Sequence, residues 1–267
     1  MSFESFAHQH GLIIDSLVHD RWTRVPTVDK PNKKNGSYIY HGDHGAVKNW
    51  AVHEKAIFWS GSYVPEAEYR ERVQKFNKDL LAKQNEASGK ASWILDRCVK
   101  VTHPYLVNKG FADVKDLVWN NLLVIPMRIE GRLVGCQLID PQGSKRFLSG
   151  QRTKGASCEI NNKGRIILVE GYATALSIRK ALKAVRTRYN IQVCFSAGNI
   201  AEVAKNHPDC MIVADHDPVG IKAAKKTGMP YWVSALEGED FNDFETRVGS
   251  EAAGKSLIAI GRTVNPE

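Results

Sequence analysis

Two apolar runs in this chain end abruptly in acid. Ile166, Ile167, Leu168 and Val169 lead into Glu170-Gly171, and Met211, Ile212, Val213 and Ala214 lead into Asp215-His216-Asp217. Uninterrupted runs of branched residues predict strands covered on both faces, as in a parallel sheet held between helices. Between residue 163 and about 255 such runs alternate with helical patterns. Strands are predicted over Arg165–Val169, Ile191–Ser196, Cys210–Ala214 and Tyr231–Ala235. Helices are predicted over Tyr172–Arg186, Asn199–Asn206 and Pro218–Thr227, with one last helix after Asp240-Phe241-Asn242-Asp243. This alternation predicts a parallel sheet with crossover helices.

Upstream the period changes. Leu122–Ile129 and Leu133–Ile139 flank Glu130-Gly131-Arg132, which reads as a hairpin with Gly131 at the turn. Residues 103–110, HPYLVNKG, read as a helical turn closed by Gly110. A helix is predicted from Pro65 to about residue 88, with Tyr69, Val73, Phe76 and Leu80 in one apolar stripe. The segment 85–90, NEASGK, predicts a break, and Ala91–Lys100 a second short helix. Before residue 62, short alternating runs between Gly, Asn and aromatic residues predict small antiparallel strands. In a unit this small, Tyr38, Tyr40, Trp50, Phe58 and Trp59 are expected to pack a core in preference to offering stacking surfaces.

Composition narrows the function classes. No apolar run approaches the roughly 18–20 residues of a membrane span, and no signal-peptide pattern opens the chain, so a soluble, cytoplasmic protein without membrane partners is expected. The five cysteines are scattered and form no CxxC pair, which supports neither a disulfide framework nor a cysteine zinc site. Cys194 and Cys210 fall in predicted strands as small core residues. His41, His44 and His53 have no evident fourth metal-ligand partner, so no zinc is expected. The one GxxxxGK[ST] string, Gly249–Ser256, follows a predicted helix and not a strand, so it is not read as a phosphate loop and no ATP-driven helicase is expected in this chain. Net charge is +8, and residues 1–160 hold 23 Lys and Arg against 17 Asp and Glu, so the excess lies mostly ahead of the acidic runs. Basic charge beside a carboxylate cluster suits a protein that handles phosphate backbone and metal together.

The candidate chemistry sits where the strands end. Ligands of open α/β sheets bind beyond the carboxyl ends of the strands. Two neighbouring strands would deliver Glu170, Asp215 and Asp217 to one edge, an oxygen set suited to Mg²⁺, which keeps its waters and recruits substrate phosphates. If the backbone stays extended, Asp215 and Asp217 face one side and share a metal, while His216 points away. Asp240 and Asp243 read either as a third acidic cluster or as a helix N-cap. Residues 145–155 carry Lys145, Arg146, Arg152 and Lys154 with no acid and with Gly, Ser and Thr between, a flexible basic stretch able to approach a phosphate backbone. Lys222 follows Asp217 on the next helix, placed either to meet phosphate or on a solvated face.

An apolar run ending in EG, paired with one ending in DxDxxG and accompanied by EGYATALS and DFNDF, resembles the TOPRIM domain of primases, topoisomerases and some nucleases. The wording is most similar to that of phage and plasmid DNA primases. KRFL at 145–148 resembles the basic motif that precedes the TOPRIM domain in bacterial-type primases. In bacterial replicative primases a further Asp follows EGY, whereas Ala173-Thr174 follow here, as in the phage and plasmid branch.

The resemblance implies an α/β fold: a TOPRIM-type parallel sheet core with flanking helices, preceded by a small mixed subdomain and a small β-rich N-terminal domain. By resemblance residues 1–62 form a zinc-ribbon-like template-binding domain without cysteine ligands. Residues 63–100 form a helical connector, 101–160 the basic first part of a polymerase core, 161–255 the TOPRIM domain and 256–267 a tail. It implies Glu170 as general acid/base, Asp215 and Asp217 as ligands of Mg²⁺ or Mn²⁺, and Asp240 and Asp243 as holders of a second metal or of the triphosphate's ion. Lys145, Arg146, Arg152 and Lys154 would contact template phosphates or the incoming triphosphate. The implied activity is that of a DNA primase, a nucleotidyltransferase that makes short RNA primers on single-stranded DNA from ribonucleoside triphosphates for DNA replication, beside a separate helicase. The alternatives are a TOPRIM nuclease and a non-catalytic nucleic-acid-binding replication protein.

Overall fold

The computed structural model describes residues 1–61 and 66–262. The predicted helix start at Pro65, the first residues of the predicted connector and residues 263–267 of the predicted tail lie outside the described residues, as does the side chain of Tyr69. The chain divides into two compact units, Met1–Asn77 and Lys78–Glu267.

The first unit opens with α1 (Phe3–Gln9), followed by β1 (Thr23–Val25), β2 (Gly36–Tyr40), β3 (His44–Asn49) and β4 (Ile57–Ser60). The strands form one antiparallel sheet in sequence order. Alternate residues point to opposite faces of a strand. Val25, Tyr38, Val47, Tyr40, Ile57 and Trp59 therefore meet Phe3, Ala7 and Leu12 in the core. The Tyr38 hydroxyl stays satisfied there, donating to Ser16 O at 3.0 Å and accepting from Val18 N at 2.9 Å. Trp50 and Phe58 do not join this core. They have the opposite parity to Val47 and Trp59, and Trp50 is 51% exposed and Phe58 39% exposed.

The helix α2 (Glu66–Leu95) runs without a break, and the division between the units falls inside it. The predicted interruption at 85–90 and the separate helix at Ala91–Lys100 are not found. Ala87, Ala91 and Ile94 are buried on one side of this helix. Ala91 and Ile94 pack on Val124, Cys136 and Leu138, and Ser88 Oγ donates to Leu133 O at 2.8 Å. Tertiary burial thus outweighs the cost of about 1 kcal/mol that Gly89 brings to a helix interior. Of the predicted stripe, Val73 and Phe76 are half-buried and Leu80 is exposed.

The second unit contains two sheets. The first consists of β5 (Val99–Thr102), β6 (Lys115–Trp119), β7 (Leu122–Ile129), β8 (Arg132–Ile139) and β9 (Lys145–Phe147), antiparallel in sequence order, with α3 (Pro104–Asn108) between β5 and β6. Glu130 and Gly131 close the β7–β8 hairpin with φ of 49° and 78°, the positive pair a tight hairpin turn requires. Both faces of β7 are covered. Val124 faces Ile94 of α2, while Leu123, Ile125 and Met127 join the large core of the unit.

The second sheet is built from β10 (Cys158–Asn161), β11 (Arg165–Val169), β12 (Tyr189–Val193), β13 (Met211–Val213) and β14 (Tyr231–Trp232), in the order β10-β12-β11-β13-β14. The last four strands run parallel, and β10 is an antiparallel edge strand. The helices are α4 (Tyr172–Ala184), α5 (Ala197–Ala204), α6 (Pro218–Thr227), α7 (Phe241–Val248) and α8 (Ser250–Arg262). Two helices replace the single last helix predicted, because Gly249 takes φ +85° between them. The branched runs are explained by cover on both sides. Ile167, Val169, Ile191 and Val193 share a core with Leu176 and Ile178 of α4 and Leu257 of α8. Leu168, Cys194 and Ile212 share another with Ile200 of α5 and Ala224 of α6. Because β11, β13 and β14 are parallel neighbours, their carboxyl ends open on one edge.

Candidate active site

Glu170 is the first residue past β11, and its backbone carbonyl accepts from Phe195 N at 2.9 Å. Asp215 follows β13 by two residues. Backbone extension does not persist to Asp217: its N–H donates back to Asp215 O at 2.8 Å, which closes a tight turn at His216. Asp217 then caps α6, with Oδ1 accepting from Gly220 N at 2.6 Å, and Pro218 occupies the first helical turn. Only glycine fits at 220, since a Cβ there would stand 2.7 Å from Asp215 O. The shared face for Asp215 and Asp217 is therefore made by a turn and a cap, not by an extended strand.

The carboxylates feel one another. Burial pushes the Asp215 carboxyl up to about 6, helped by Glu170, Asp240 and Asp217 and opposed by Lys145. Burial and then the charge of Asp217 raise Glu170, while Lys145 and the Ala197 backbone pull it back. Asp215 Oδ1 is buried without a hydrogen-bond partner, and so is His216 Nδ1. His216 is held by its backbone against the 238–239 turn, with Gly238 N donating to its carbonyl at 2.9 Å.

The structure brings Glu170, Asp215, Asp217 and Asp240 within electrostatic reach of one another. Asp240 also caps α7, its Oδ1 accepting from Asp243 N at 2.9 Å. Asp243 is exposed in the first turn of α7 and contributes its backbone N–H to that cap. The N-cap reading therefore applies to Asp240, which also lies near the other acids, whereas Asp243 stands apart from them.

Of the basic candidates, Lys145 at the start of β9 acts on both Glu170 and Asp215. Arg146 is exposed on β9 opposite Leu138 of β8. Arg152 is exposed and donates through Nε to Lys154 O at 3.4 Å, and Lys154 pairs with Glu202 at 3.6 Å. Lys222 is exposed on α6.

The predicted flexibility of residues 145–155 gives way to a set of anchors. Gln151 Oε1 accepts from Cys136 N at 3.0 Å and Leu148 N at 3.2 Å, and its Nε2 meets Met127 Sδ at 2.9 Å. Gly135 leaves the room for this amide, because a Cβ there would lie 2.2 Å from Gln151 Oε1. At the far end Asn199 Oδ1 accepts from Gly155 N at 2.7 Å, while Asn199 Nδ2 donates to Ala156 O and Cys194 O, both at 2.8 Å. The basic strip is tied in this way to the middle of β8 and to the end of β12. Sequence reasoning missed both anchors, since neither a Gln nor an Asn that reaches a distant backbone leaves a local pattern.

Two further features escaped the sequence. Phe195, two residues past β12, holds φ +67°, a costly conformation for a bulky residue. Its ring meets Phe147 of β9 edge-on at 6.2 Å. Beside Lys145 lies a cavity of about 340 Å³ lined by Tyr105, Asn108, Lys109, Gln142 and Gly143. Burial pushes the Tyr105 hydroxyl up to about 12, with the charge of Asp240 adding to the shift, so the cavity adjoins the acidic edge.

The donor set fits a hard divalent cation. Several like charges converge, one carboxylate oxygen is buried and unpartnered, and the donors are all oxygens. Among the described residues no three acidic, histidine or cysteine side chains are grouped closely enough to cage a metal.

Comparison with known structures places primase structures among the matches. A chain of the bacteriophage T7 lagging-strand DNA polymerase complex with primase domains, an RNA/DNA hybrid and dTTP is 15% identical, with a TM-score of 0.42 over 61% of this chain and 87% of that one. The catalytic core of DnaG is 13% identical, with a TM-score of 0.40 over 58% of each chain. The DnaG primase catalytic domain bound to ssDNA is 12% identical, with a TM-score of 0.40 over 72% of this chain and 73% of that one. Likeness at this level is no argument for a shared activity. No helix among the described residues is long and apolar enough to cross a membrane. A family model does match: that of the Toprim domain, over residues 165–251, the span that contains β11 to α7 and every acid of the edge.

Proposed function

We propose that the chain is a DNA primase that joins ribonucleotides on single-stranded DNA, with Mg²⁺ or Mn²⁺ at the acidic edge. The observation that carries this reading is the placement of Lys145, from the strip ahead of the Toprim domain, within reach of both Glu170 and Asp215. A polymerase needs cationic contacts to a polyphosphate beside its carboxylates. The anchored strip Lys145–Gly155 supplies them at a fixed position.

In the proposed reaction the 3′-hydroxyl oxygen bonds to the α-phosphorus of the incoming triphosphate, the bond to the β-phosphate bridging oxygen breaks, and pyrophosphate leaves. Glu170 is suited to accept the hydroxyl proton, because burial raises its affinity for a proton. Asp215 and Asp217 would hold a divalent ion together with water and substrate phosphate, and Asp240 a second ion or that of the triphosphate; the ion would neutralise phosphate charge and lower the pKa of the attacking hydroxyl. Asp243 contributes the backbone cap and a peripheral charge. The cavity beside Lys145 and Lys109 has the volume and polarity for part of the nucleotide. Arg146, Arg152 and Lys154 present exposed cations for template phosphate, with Lys222 at the edge of that field. Residues 1–62 serve as the template-binding part, a separate helicase opens the duplex, and the protein works in the cytoplasm of a bacterial or phage-infected cell.

The test is primer synthesis by the purified chain on single-stranded DNA of mixed sequence with labelled ribonucleoside triphosphates and Mg²⁺ or Mn²⁺. Short labelled products that disappear in Glu170→Gln and in Asp215→Asn/Asp217→Asn support the proposal. Shortening of the template without new product would replace it with a nuclease.

A further inference from the structure

On the face of the N-terminal sheet opposite the Tyr38–Val47 core, Arg24, Lys48 and Trp50 come together. Arg24 of β1 is paired across the sheet with Ser37 of β2, and Ser37 with Lys48 of β3. Trp50 lies two residues beyond Lys48, and so on the same face. Its backbone N–H donates to Asn35 O at 3.1 Å, which fixes it at the end of the sheet where β2 begins. The Lys48 ammonium lies 4.1 Å and the Arg24 guanidinium 5.3 Å from the centre of the indole. Both cations are held: Lys48 Nζ donates to Glu54 O at 3.1 Å, and Arg24 Nε to Lys34 O at 3.1 Å.

A half-exposed tryptophan contributes little to folding through burial. This one is nonetheless kept in a fixed setting by two positive charges. The surroundings are cationic, with seven basic residues against three acidic between Arg21 and Lys55. The ion-paired acids Asp20 and Asp43 contact His41 and His44 at the opposite end of the strands, and Asp29 and Glu54 are the acids at the Trp50 end. A cationic or apolar partner would be repelled or left unmatched here. Both cations lie over the ring, and the half of the indole that stays exposed matches a nucleobase whose phosphates reach the same two charges.

We propose that Trp50, with Arg24 and Lys48, is a stacking site for single-stranded DNA that needs no metal. The choice of single-stranded DNA follows the proposed function, but the site is separate from the acidic edge and is tested apart from it. The experiment titrates the full chain against a fluorescein-labelled oligodeoxythymidine strand by anisotropy at several salt concentrations, with circular dichroism as the fold control. Trp50→Ala is expected to weaken binding about tenfold, and Trp50→Phe to restore most of it, because a ring still stacks. Arg24→Ala/Lys48→Ala is expected to weaken binding and to reduce the salt slope by about one. Wild-type affinity in Trp50→Ala, or equal loss in Trp50→Ala and Trp50→Phe, overturns the proposal. Glu170→Gln runs in the same titration and in primer synthesis. Absence of synthesis by the wild type removes the primase reading and leaves the stacking result standing on its own.

Discussion

Two groups of carboxylates in the second unit are treated in opposite ways. Glu239 is buried and fully partnered, with Arg247 Nε and NH2 at 2.8 Å from its two oxygens and the Ser234 hydroxyl bonded to one of them. Glu245 is buried and receives Lys180 at 2.9 Å and Ser250 at 2.5 Å. Glu170 and Asp215 are also withdrawn from water, yet each faces further acids, and Asp215 Oδ1 has no hydrogen-bond partner. The consequence is an opposite shift in proton affinity. The Arg247 guanidinium holds the Glu239 carboxyl at about 2, whereas burial drives Asp215 up to about 6. A chain that can satisfy Glu239 one residue away from Asp240 is able to supply partners. Where acids are left to repel one another and one oxygen is unpaired, the edge is marked as a candidate site for a cation or ligand.

The largest effect that would break this contrast is on activity. Glu170→Gln or Asp215→Asn is expected to lower primer synthesis at least about a hundredfold while leaving the melting temperature equal or higher, since each removes a repelled charge. If either variant unfolded, these acids would belong with Glu239 and Glu245 as structural groups. Lys145→Ala is expected to cost about tenfold in synthesis, and to move the acidic limb of the pH–rate profile upward, because Lys145 lowers both Glu170 and Asp215.

Next comes the anchor that holds the strip. Asn199→Ala strips Gly155 N, Ala156 O and Cys194 O of their side-chain partner, and is expected to cost about 2–3 kcal/mol in urea unfolding. A cost near zero would show that the strip is held elsewhere.

The smallest effect is the sharpest test of sign. A raised carboxyl binds its proton more tightly in the folded state, so without divalent ion the Asp215 contribution to stability is full below about 4 and is lost as pH rises through about 6. Glu239 is depressed, so its contribution is present above its ordinary value of 4.5 and is lost as pH falls towards about 2. Melting curves from pH 3 to 8 should show the first decline vanish in Asp215→Asn and the second in Glu239→Gln. Added Mg²⁺ should raise the wild-type melting temperature at pH 7 and raise that of Asp215→Asn less.

The sheet edge was legible because its signals are local. Ile166–Val169 before Glu170 and Met211–Ala214 before Asp215 need only a strand period and the rule that ligands gather at strand ends. What stayed hidden acts at a distance. The length of α2 is decided by Val124 and Cys136 far along the chain, and the turn at His216 by contact between Gly220 and the Asp215 carbonyl. The antiparallel strand β10 is short and mixed, and only its pairing with β12 reveals it. The split among the N-terminal aromatics was readable in principle, because Phe58 and Trp59 are adjacent and adjacent strand residues face opposite ways. An expectation that a small unit buries its aromatics overrode that parity.

The two anchors Gln151 and Asn199 also have a mechanical meaning. Through them the basic strip is riveted at one end to β8 and at the other to the end of β12, so that the wall carrying the positive charge and the edge carrying the negative charge form one piece. Under the proposed function, a polymer drawn along this strip would meet basic groups held at fixed spacing. Each advance by one nucleotide would then be a displacement of the strand past the protein, with the spacing between phosphates as the stroke length.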